Sequence, residues 1–94
     1  MTAYVVVTLN ITDADTLAKY RAVAVDALNK HQGKVASASG NVEILEGAPA
    51  TPDSMVVLEF PDHDHARAWR NDPELQDIHA LRMGGADTAI YLLG

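Results

Sequence analysis

The chain has 94 residues, of which 48% are hydrophobic and 5% aromatic, and 7 Lys+Arg against 13 Asp+Glu give a formal net charge of -6. This length predicts a single domain over residues 1–94, and the lack of cysteine excludes disulfides, thiolate metal sites and cysteine nucleophiles. The acidic balance excludes nucleic acid as an expected partner, because phosphate binding needs clustered Lys and Arg.

Nothing in the sequence indicates a leader or a membrane-spanning segment. The first residues lead directly into an apolar stretch, with no basic segment before it. No apolar run approaches the ~20 residues that are needed to span a bilayer. We therefore expect a cytoplasmic protein without membrane partners.

The first half of the chain predicts a strand, a long helix and two further strands. Residues 3–10 are β-branched and apolar on both alternating faces, which is typical of a strand covered on both sides. Thr12 is the expected N-cap of a helix whose apolar positions recur at three- and four-residue steps. Gly33 is the expected left-handed stop of that helix. Residues 34–38 and 42–46 are then predicted as strands joined by a tight turn.

The second half predicts two strands separated by a split helical unit. Residues 54–60 and 88–93 are again apolar on both alternating faces, which favours buried strands. Asp62 can cap a short helix, and Asp72 followed by Pro73 is a typical start of another, with Asp as N-cap and Pro at the first helical position.

The resulting order is β-α-β-β-α-β, which predicts an α+β, ferredoxin-like fold with an antiparallel sheet. The helices can cover only one face of such a sheet, but the predicted strands are apolar on both faces. The other face therefore needs a cover, and a second copy of the chain is the simplest one. The pattern predicts a homodimer in which two sheets pack face to face as a dimeric α/β barrel.

Five parts of the sequence also carry a resemblance to a known family. They are Ile44-Leu45-Glu46-Gly47, Val56-Val57-Leu58-Glu59-Phe60-Pro61, Ala66-Arg67-Ala68-Trp69, Asp72-Pro73-Glu74-Leu75-Gln76 and Arg82. In this order and spacing the whole chain resembles the DUF1330 domain of the dimeric α/β-barrel superfamily. The resemblance implies the ferredoxin-like fold. It leaves the function open, since the superfamily includes cofactor-free monooxygenases, isomerases, haem-handling enzymes and ligand-binding modules.

Glu59 is the first candidate for chemistry, because it lies inside an apolar strand. A partly buried carboxylate there can serve as an acid or base, and the structural alternative is an ion pair or a cap of the next helix. We expect the first and third strands to be parallel neighbours. Asn10 and Glu59 would then end close together as a polar pair at one rim.

His79 and Arg82 form the second candidate pair, because residues three apart on a helix share a face. Together they can hold a carboxylate or an enolate, with Arg82 as a fork and His79 as a proton carrier. Tyr20, on the apolar face of the long helix, can point its hydroxyl into the same pocket. The structural alternatives are an ion-paired Arg82, a half-exposed His79 and a core Tyr20 with a solvated tip.

His63 and His65 flank Asp64 at the expected start of a helix, where residues two apart do not share a face. No third ligand is indicated by the sequence, although closed metal sites need three or four. We expect these to be solvated residues, with no metal and no cofactor.

Two hypotheses for the function remain. The first is a homodimer that binds a small organic molecule between helices and sheet and can carry out cofactor-free proton transfer or oxygenation. Its candidate catalytic residues are Glu59 and His79, and its candidate ligand-binding residues are Tyr20, Arg82 and Asn10. The alternative is a dimeric binding or assembly module without a catalytic site, so the sequence leaves open whether the protein is an enzyme.

Overall fold

The computed structural model describes residues 2–94 as one four-stranded sheet with three α-helices. The strands are β1 (Ala3–Ile11), β2 (Lys34–Ser39), β3 (Ser54–Phe60) and β4 (Ala86–Leu92). The helices are α1 (Ala14–Lys30), α2 (His63–Asn71) and α3 (Gln76–Gly85), and a 3-10 turn at Pro73–Leu75 precedes α3. None of these helices is long and apolar enough to cross a membrane.

The strand order is β2-β3-β1-β4, with every neighbouring pair antiparallel, and this confirms the predicted ferredoxin-like α+β fold. The prediction that β1 and β3 run parallel was wrong. The crossover through α1 makes β1 and β2 parallel, and β3 lies between them and opposes both. Tyr4 therefore lies opposite Glu59, whereas Asn10 lies opposite Asp87 at the other end of the sheet, so the expected polar pair does not form.

The two faces of the sheet differ in cover. The face under the helices carries the core, in which Val5, Val7, Leu9, Leu58 and Phe60 are buried. The opposite face presents Tyr4, Val6, Met55, Val57 and Tyr91, and no element within residues 2–94 packs on it. Tyr91 is 57% exposed. The predicted apolar character of both faces is confirmed.

Helix α1 begins one residue later than the sequence suggested, because its N-cap is Asp13 and not Thr12. The Asp13 carboxylate accepts hydrogen bonds from the backbone N–H of Asp15 at 3.1 Å and of Thr16 at 3.2 Å. These bonds, that from Thr16 above all, hold the pKa of Asp13 below its ordinary value. The backbone N–H of Thr12 instead donates to the carbonyl of Gly85 at 3.0 Å.

The left-handed residue after α1 is Gln32, with φ 60°, and not Gly33 as predicted. Gly33 is needed for a different reason. A Cβ at this position would lie 2.5 Å from Cε1 of Phe60, so only glycine lets the chain pass over this ring.

The predicted strand at 42–46 was wrong, since residues 40–53 form no strand. The β2–β3 ladder has a register shift between Val35 and Ser37 and ends at Ser39 opposite Met55. The segment beyond it pairs with no strand, and Leu45 is 90% exposed. An apolar pattern alone does not produce a strand, because strand preference depends on how the side chains pack.

Candidate functional site

A cavity of about 450 Å³ lies between α1 and the helix-facing side of the sheet. Most of its wall is aliphatic, from Val7, Leu9, Leu17, Ala24, Val25, Leu28, Val35, Val56 and Leu58. Strand β2, at one edge of the sheet, is exposed along its whole length. The cavity therefore opens at the β2 edge, where Val25 of α1 and Val35 of β2 are both exposed.

Arg82 forms part of the cavity wall and is only 1% exposed. Close packing of α3 on α1 brings it there, since a Cβ on Gly85 would lie 2.5 Å from the backbone nitrogen of Leu17. One turn away, Arg82 Nη1 donates to the Tyr20 hydroxyl at 3.5 Å, and Cζ lies 5.5 Å from the centre of the Tyr20 ring. The structure thus brings together two residues that lie 62 positions apart.

The guanidinium of Arg82 has no carboxylate within 4.0 Å among residues 2–94. Its Nε is buried without a hydrogen-bond partner. A buried charge without a counter-charge destabilises a fold, because the lost hydration is not replaced. Arg82 is therefore a charged residue of the cavity wall that has neither a counter-charge nor a full set of hydrogen bonds within the described chain.

His79 lies directly behind Arg82 and is 0% exposed. Arg82 Nη1 donates to Nδ1 of His79 at 2.9 Å, so the imidazole carries its proton on Nε2, which donates to the carbonyl of Trp69 at 3.1 Å. Burial, with the nearby Arg82 charge, lowers the pKa of His79 from its ordinary value. His79 is thus a neutral group that orients Arg82.

The other two predicted site residues lie apart from this group. Glu59 pairs with Lys34 at 3.0 Å, and the two lie side by side on the sheet face away from the helices. Asn10 Oδ1 accepts a hydrogen bond from the backbone N–H of Asp53 at 3.3 Å, next to the cavity rim. Of the five candidates, the structure brings Tyr20, His79 and Arg82 together, with Asn10 near the rim and Glu59 elsewhere.

The two histidines around Asp64 have structural partners. His65 Nδ1 lies 2.7 Å from the carboxylate of Asp62, which also accepts from the backbone N–H of His65 and caps α2. His63 Nε2 donates to the carbonyl of Leu93 at 2.9 Å. Within residues 2–94, no group of three or more His, Asp or Glu side chains could hold a metal ion.

The polar rim of the cavity was not found from the sequence. It consists of Arg21, Ser39, Asp53 and Ser54. These residues come from α1, from the end of β2 and from the start of β3, so only the fold brings them together. The one local signal is the position of Asp53 immediately before a predicted strand.

The fold is that of the ferredoxin-like α+β proteins, and the chain belongs to the family described as "Domain of unknown function (DUF1330)", which matches residues 2–94. A protein of unknown function from Rhodopseudomonas palustris is similar in structure, with a TM-score of 0.74 and 16% identity over 98% of this chain and 80% of that one. A dimeric ferredoxin-like protein of unknown function from a Jannaschia species has a TM-score of 0.72 and 12% identity over 100% of this chain and 99% of that one.

SnoaB, a cofactor-independent oxygenase from Streptomyces nogalater, is also similar, with a TM-score of 0.69 and 14% identity over 99% of this chain and 91% of that one. At these identities the likeness concerns the fold alone. No curated protein matches the sequence.

Proposed function

We propose that the protein binds a small organic anion in the cavity beneath α1, with Arg82 as its counter-charge. One observation carries this proposal: a buried guanidinium without a carboxylate partner in the described chain forms part of the wall of an apolar cavity. A bound carboxylate or enolate supplies the missing charge and accepts hydrogen bonds from the planar guanidinium.

The size and lining of the cavity support the same conclusion. Small-molecule sites are typically about 300–1,000 Å³, mostly apolar, with a few polar groups that orient the ligand. The cavity of about 450 Å³ lies in that range, and its aliphatic wall suits the hydrocarbon part of an organic acid. The Tyr20 hydroxyl next to Arg82 provides a second polar contact for the acid group.

Binding of matched acids and alcohols tests this function. We expect straight-chain carboxylates of six to twelve carbons to bind in calorimetry at least tenfold more tightly than primary alcohols of equal length, because only the acids pair with Arg82. The variant Arg82→Met removes this preference. The control Arg67→Met, at an exposed site where Arg67 pairs with Asp64 at 3.2 Å, retains it. Equal binding of acids and alcohols would contradict the proposal.

Cofactor-free proton transfer is a second candidate function of the same site. Arg82 and the Tyr20 hydroxyl beside it support this function. A cationic group in an apolar cavity stabilises the negative charge of an enolate as it forms. The candidate bases are less well arranged: Glu59 faces away from the cavity, and both nitrogens of His79 have partners. Binding is therefore the better supported of the two.

Exchange of carbon-bound protons distinguishes catalysis from binding. In D2O, catalysis would accelerate loss of the C3 proton signals of a straight-chain 2-oxo acid, and Arg82→Met would abolish this acceleration. Glu59→Gln would then test Glu59 as the base, whereas His79→Gln also affects Arg82, which His79 positions. If an acid that binds exchanges its protons no faster with the protein than without it, the protein binds the acid but does not catalyse this reaction.

We also propose that the protein is a homodimer in which the open sheet face is covered by a second copy. The exposed apolar side chains of this face and the dimeric state named for similar structures support this. Val57, opposite Val6 near the centre of the face, is the residue to change. Sedimentation should give a dimer for the wild type and for the control Val25→Lys on α1, and a monomer for Val57→Lys. A monomeric wild type would contradict the proposal.

A further inference from the structure

We infer that residues 41–52 form a lid, which folds over the open side of the cavity and closes it above a bound ligand. This inference rests on the proposed function only for the ligand used in one part of its test. It adds to the anion site a moving part that controls access from solvent.

The open side of the cavity is a slit between α1 and β2. Arg21 and Val25 border it on the helix, and Val35 and Ala38 border it on the strand. All four residues are exposed, Val25 by 57% and Val35 by 47%. Arg82, in the wall of the same cavity, is only 1% exposed. A ligand at Arg82 therefore leaves one apolar side of the cavity in contact with water.

Both ends of the lid are fixed at this slit. Gly40 and Asp53, the residues on either side of the lid, both line the cavity. A Cβ on Gly40 would lie 3.8 Å from the carbonyl oxygen of Asp53, so the chain leaves and returns at one place. The Asp53 carboxylate accepts a hydrogen bond from the backbone N–H of Ile11 at 2.8 Å, which holds this place on β1.

Between its fixed ends the lid is held by few contacts. It contains no helix or strand. Within residues 2–94, its one hydrogen bond runs from the backbone N–H of Asn41 to the hydroxyl of Ser39 at 3.0 Å. Exposed segments with so few bonds rearrange at a low cost in free energy. The lid can therefore change position while β2 and β3 stay paired.

The apolar side chains of the lid match those of the slit. Ile44 is 39% exposed and Leu45 is 90% exposed, although both are large and aliphatic. When the lid packs on Val25 and Val35, apolar surface of both parts is removed from water, and this stabilises the closed form. A ligand with a hydrocarbon chain in the slit adds further apolar surface to the same contact.

The charges of the lid and the slit are also complementary. Glu43 and Glu46 of the lid pair with no cation within residues 2–94, and Arg21 at the slit pairs with no carboxylate there. Closure brings these opposite charges toward each other. An exposed pair of this kind contributes little to stability, so the apolar contact is the main driving force.

The lid is long enough to cover the slit. Leu45 is five residues from Gly40, and an extended chain of that length spans about 17 Å. Val35 is five residues from Gly40 in the other direction, which along a strand is also about 17 Å. Leu45 can therefore reach the far end of the slit on β2.

Disulfide trapping tests the closure, because the chain has no native cysteine. The pair Val25→Cys and Leu45→Cys places one thiol at the slit and one on the lid. The pair Asp26→Cys and Leu45→Cys is the matched control, since Asp26 follows Val25 on α1 but lies outside the cavity lining.

We expect the first pair to form an intramolecular disulfide about tenfold faster than the control, because this bond needs Cα atoms within about 7 Å. The straight-chain carboxylate dodecanoate should accelerate the first pair only. A non-reducing gel separates this product from disulfides between two copies of the chain.

Ligand affinity provides the second readout. Leu45→Gln should weaken dodecanoate binding about tenfold in calorimetry, because closure then buries an amide in place of an aliphatic side chain. The control Met83→Gln changes a residue of α3 that is 51% exposed and does not line the cavity, and it should keep the wild-type affinity.

Equal trapping rates of the two cysteine pairs would overturn the lid, and so would wild-type dodecanoate affinity in Leu45→Gln. In both cases, carboxylates that need Arg82 would leave the anion site standing. If no carboxylate binds, the proposed function fails, and the trapping rates without ligand decide on the lid alone.

Discussion

Arg82 donates a hydrogen bond to Nδ1 of His79 at 2.9 Å, and this contact holds a guanidinium without a carboxylate partner in the wall of an apolar cavity. The imidazole is itself fixed, since its Nε2 donates to the carbonyl of Trp69. His79 thus connects the backbone of α2 to the one buried cation of the described chain. It acts on a ligand through Arg82, so we regard it as a positioning residue.

Substitution of His79 should affect both stability and binding. His79→Leu leaves the Trp69 carbonyl and one Arg82 donor without partners, and we expect it to lower the free energy of unfolding by about 1–3 kcal/mol. His79→Gln provides both a donor and an acceptor and should restore part of this loss. Urea unfolding measures the stability. Calorimetry with the plain carboxylates should show weaker binding for His79→Leu and a partial recovery for His79→Gln. Wild-type affinity in His79→Leu would show that His79 does not position Arg82.

The low pKa of His79 gives a defined pH dependence of stability. Burial keeps His79 neutral in the folded state, whereas in the unfolded chain it takes up a proton below its ordinary pKa of about 6.5. As the pH falls from 6.5 toward the lowered pKa of the folded state, the unfolded state binds more protons and stability is lost. The slope from this one group is at most about 1.4 kcal/mol per pH unit. The slope fades over about one pH unit above 6.5, where the unfolded chain also loses this proton.

Urea unfolding of the wild type and His79→Gln between pH 7.5 and 5 measures this dependence. Because His31, His63 and His65 are present in both proteins, the difference between the two curves isolates His79. Between pH 7.5 and 5, we expect the free energy of unfolding to decrease more for the wild type than for the variant. Parallel curves over this range would contradict a neutral His79 in the folded protein.

The two glycines at the end of α3 should respond differently to a methyl group. A Cβ on Gly85 would lie 2.5 Å from the nitrogen and 2.8 Å from Cα of Leu17, both backbone atoms that cannot move aside cheaply. We expect Gly85→Ala to cost about 1–3 kcal/mol in urea unfolding and to weaken carboxylate binding, because α3 carries Arg82 away from Tyr20.

The neighbouring position is the matched control. A Cβ on Gly84 would meet only Cγ2 of Thr16 at 3.5 Å, an ordinary contact. Gly84→Ala should therefore leave stability unchanged or raise it by up to about 1 kcal/mol through helix propensity. Equal effects of the two substitutions would show that α3 does not depend on close approach to α1.

Much of the fold could be predicted because periodicity is local. The alternation in residues 3–10 and 54–60 predicted β1 and β3, and Asp72 followed by Pro73 predicted the start of the last helical unit. The relative direction of β1 and β3 was missed, since it depends on the crossover and not on either strand. The supposed strand at 42–46 does not form, because a strand depends on side-chain packing that the local pattern does not report, and Leu45 is 90% exposed.

The site could be predicted only where its residues share an element. His79 and Arg82 lie three apart on α3, so their proximity followed from helix geometry. Their contact with Tyr20 depends on the packing of α3 on α1, which Gly85 permits. Asp53 was missed because its position at the rim depends on a hydrogen bond to Ile11, 42 residues away.

Asp72 joins the end of α1 to the start of the last helical unit, and its loss should destabilise the protein in a pH-dependent way. Its carboxylate lies 2.8 Å from Nζ of Lys30 and 2.7 Å from Nε2 of His31, and it accepts from the backbone N–H of Glu74 at 2.9 Å. These bonds, that from Lys30 above all, hold the pKa of Asp72 far below its ordinary value of 3.8. A carboxylate with a lowered pKa stabilises the folded state above its unfolded pKa, and this contribution is lost as the pH falls below it.

Asp72→Asn should therefore lower the thermal midpoint at pH 7, and the difference from the wild type should shrink as the pH is lowered through 4. Asp64→Asn, which removes an exposed pair with Arg67, should have the smaller effect at pH 7. A midpoint for Asp72→Asn equal to that of the wild type at pH 7 would show that these contacts do not stabilise the joint between α1 and α3.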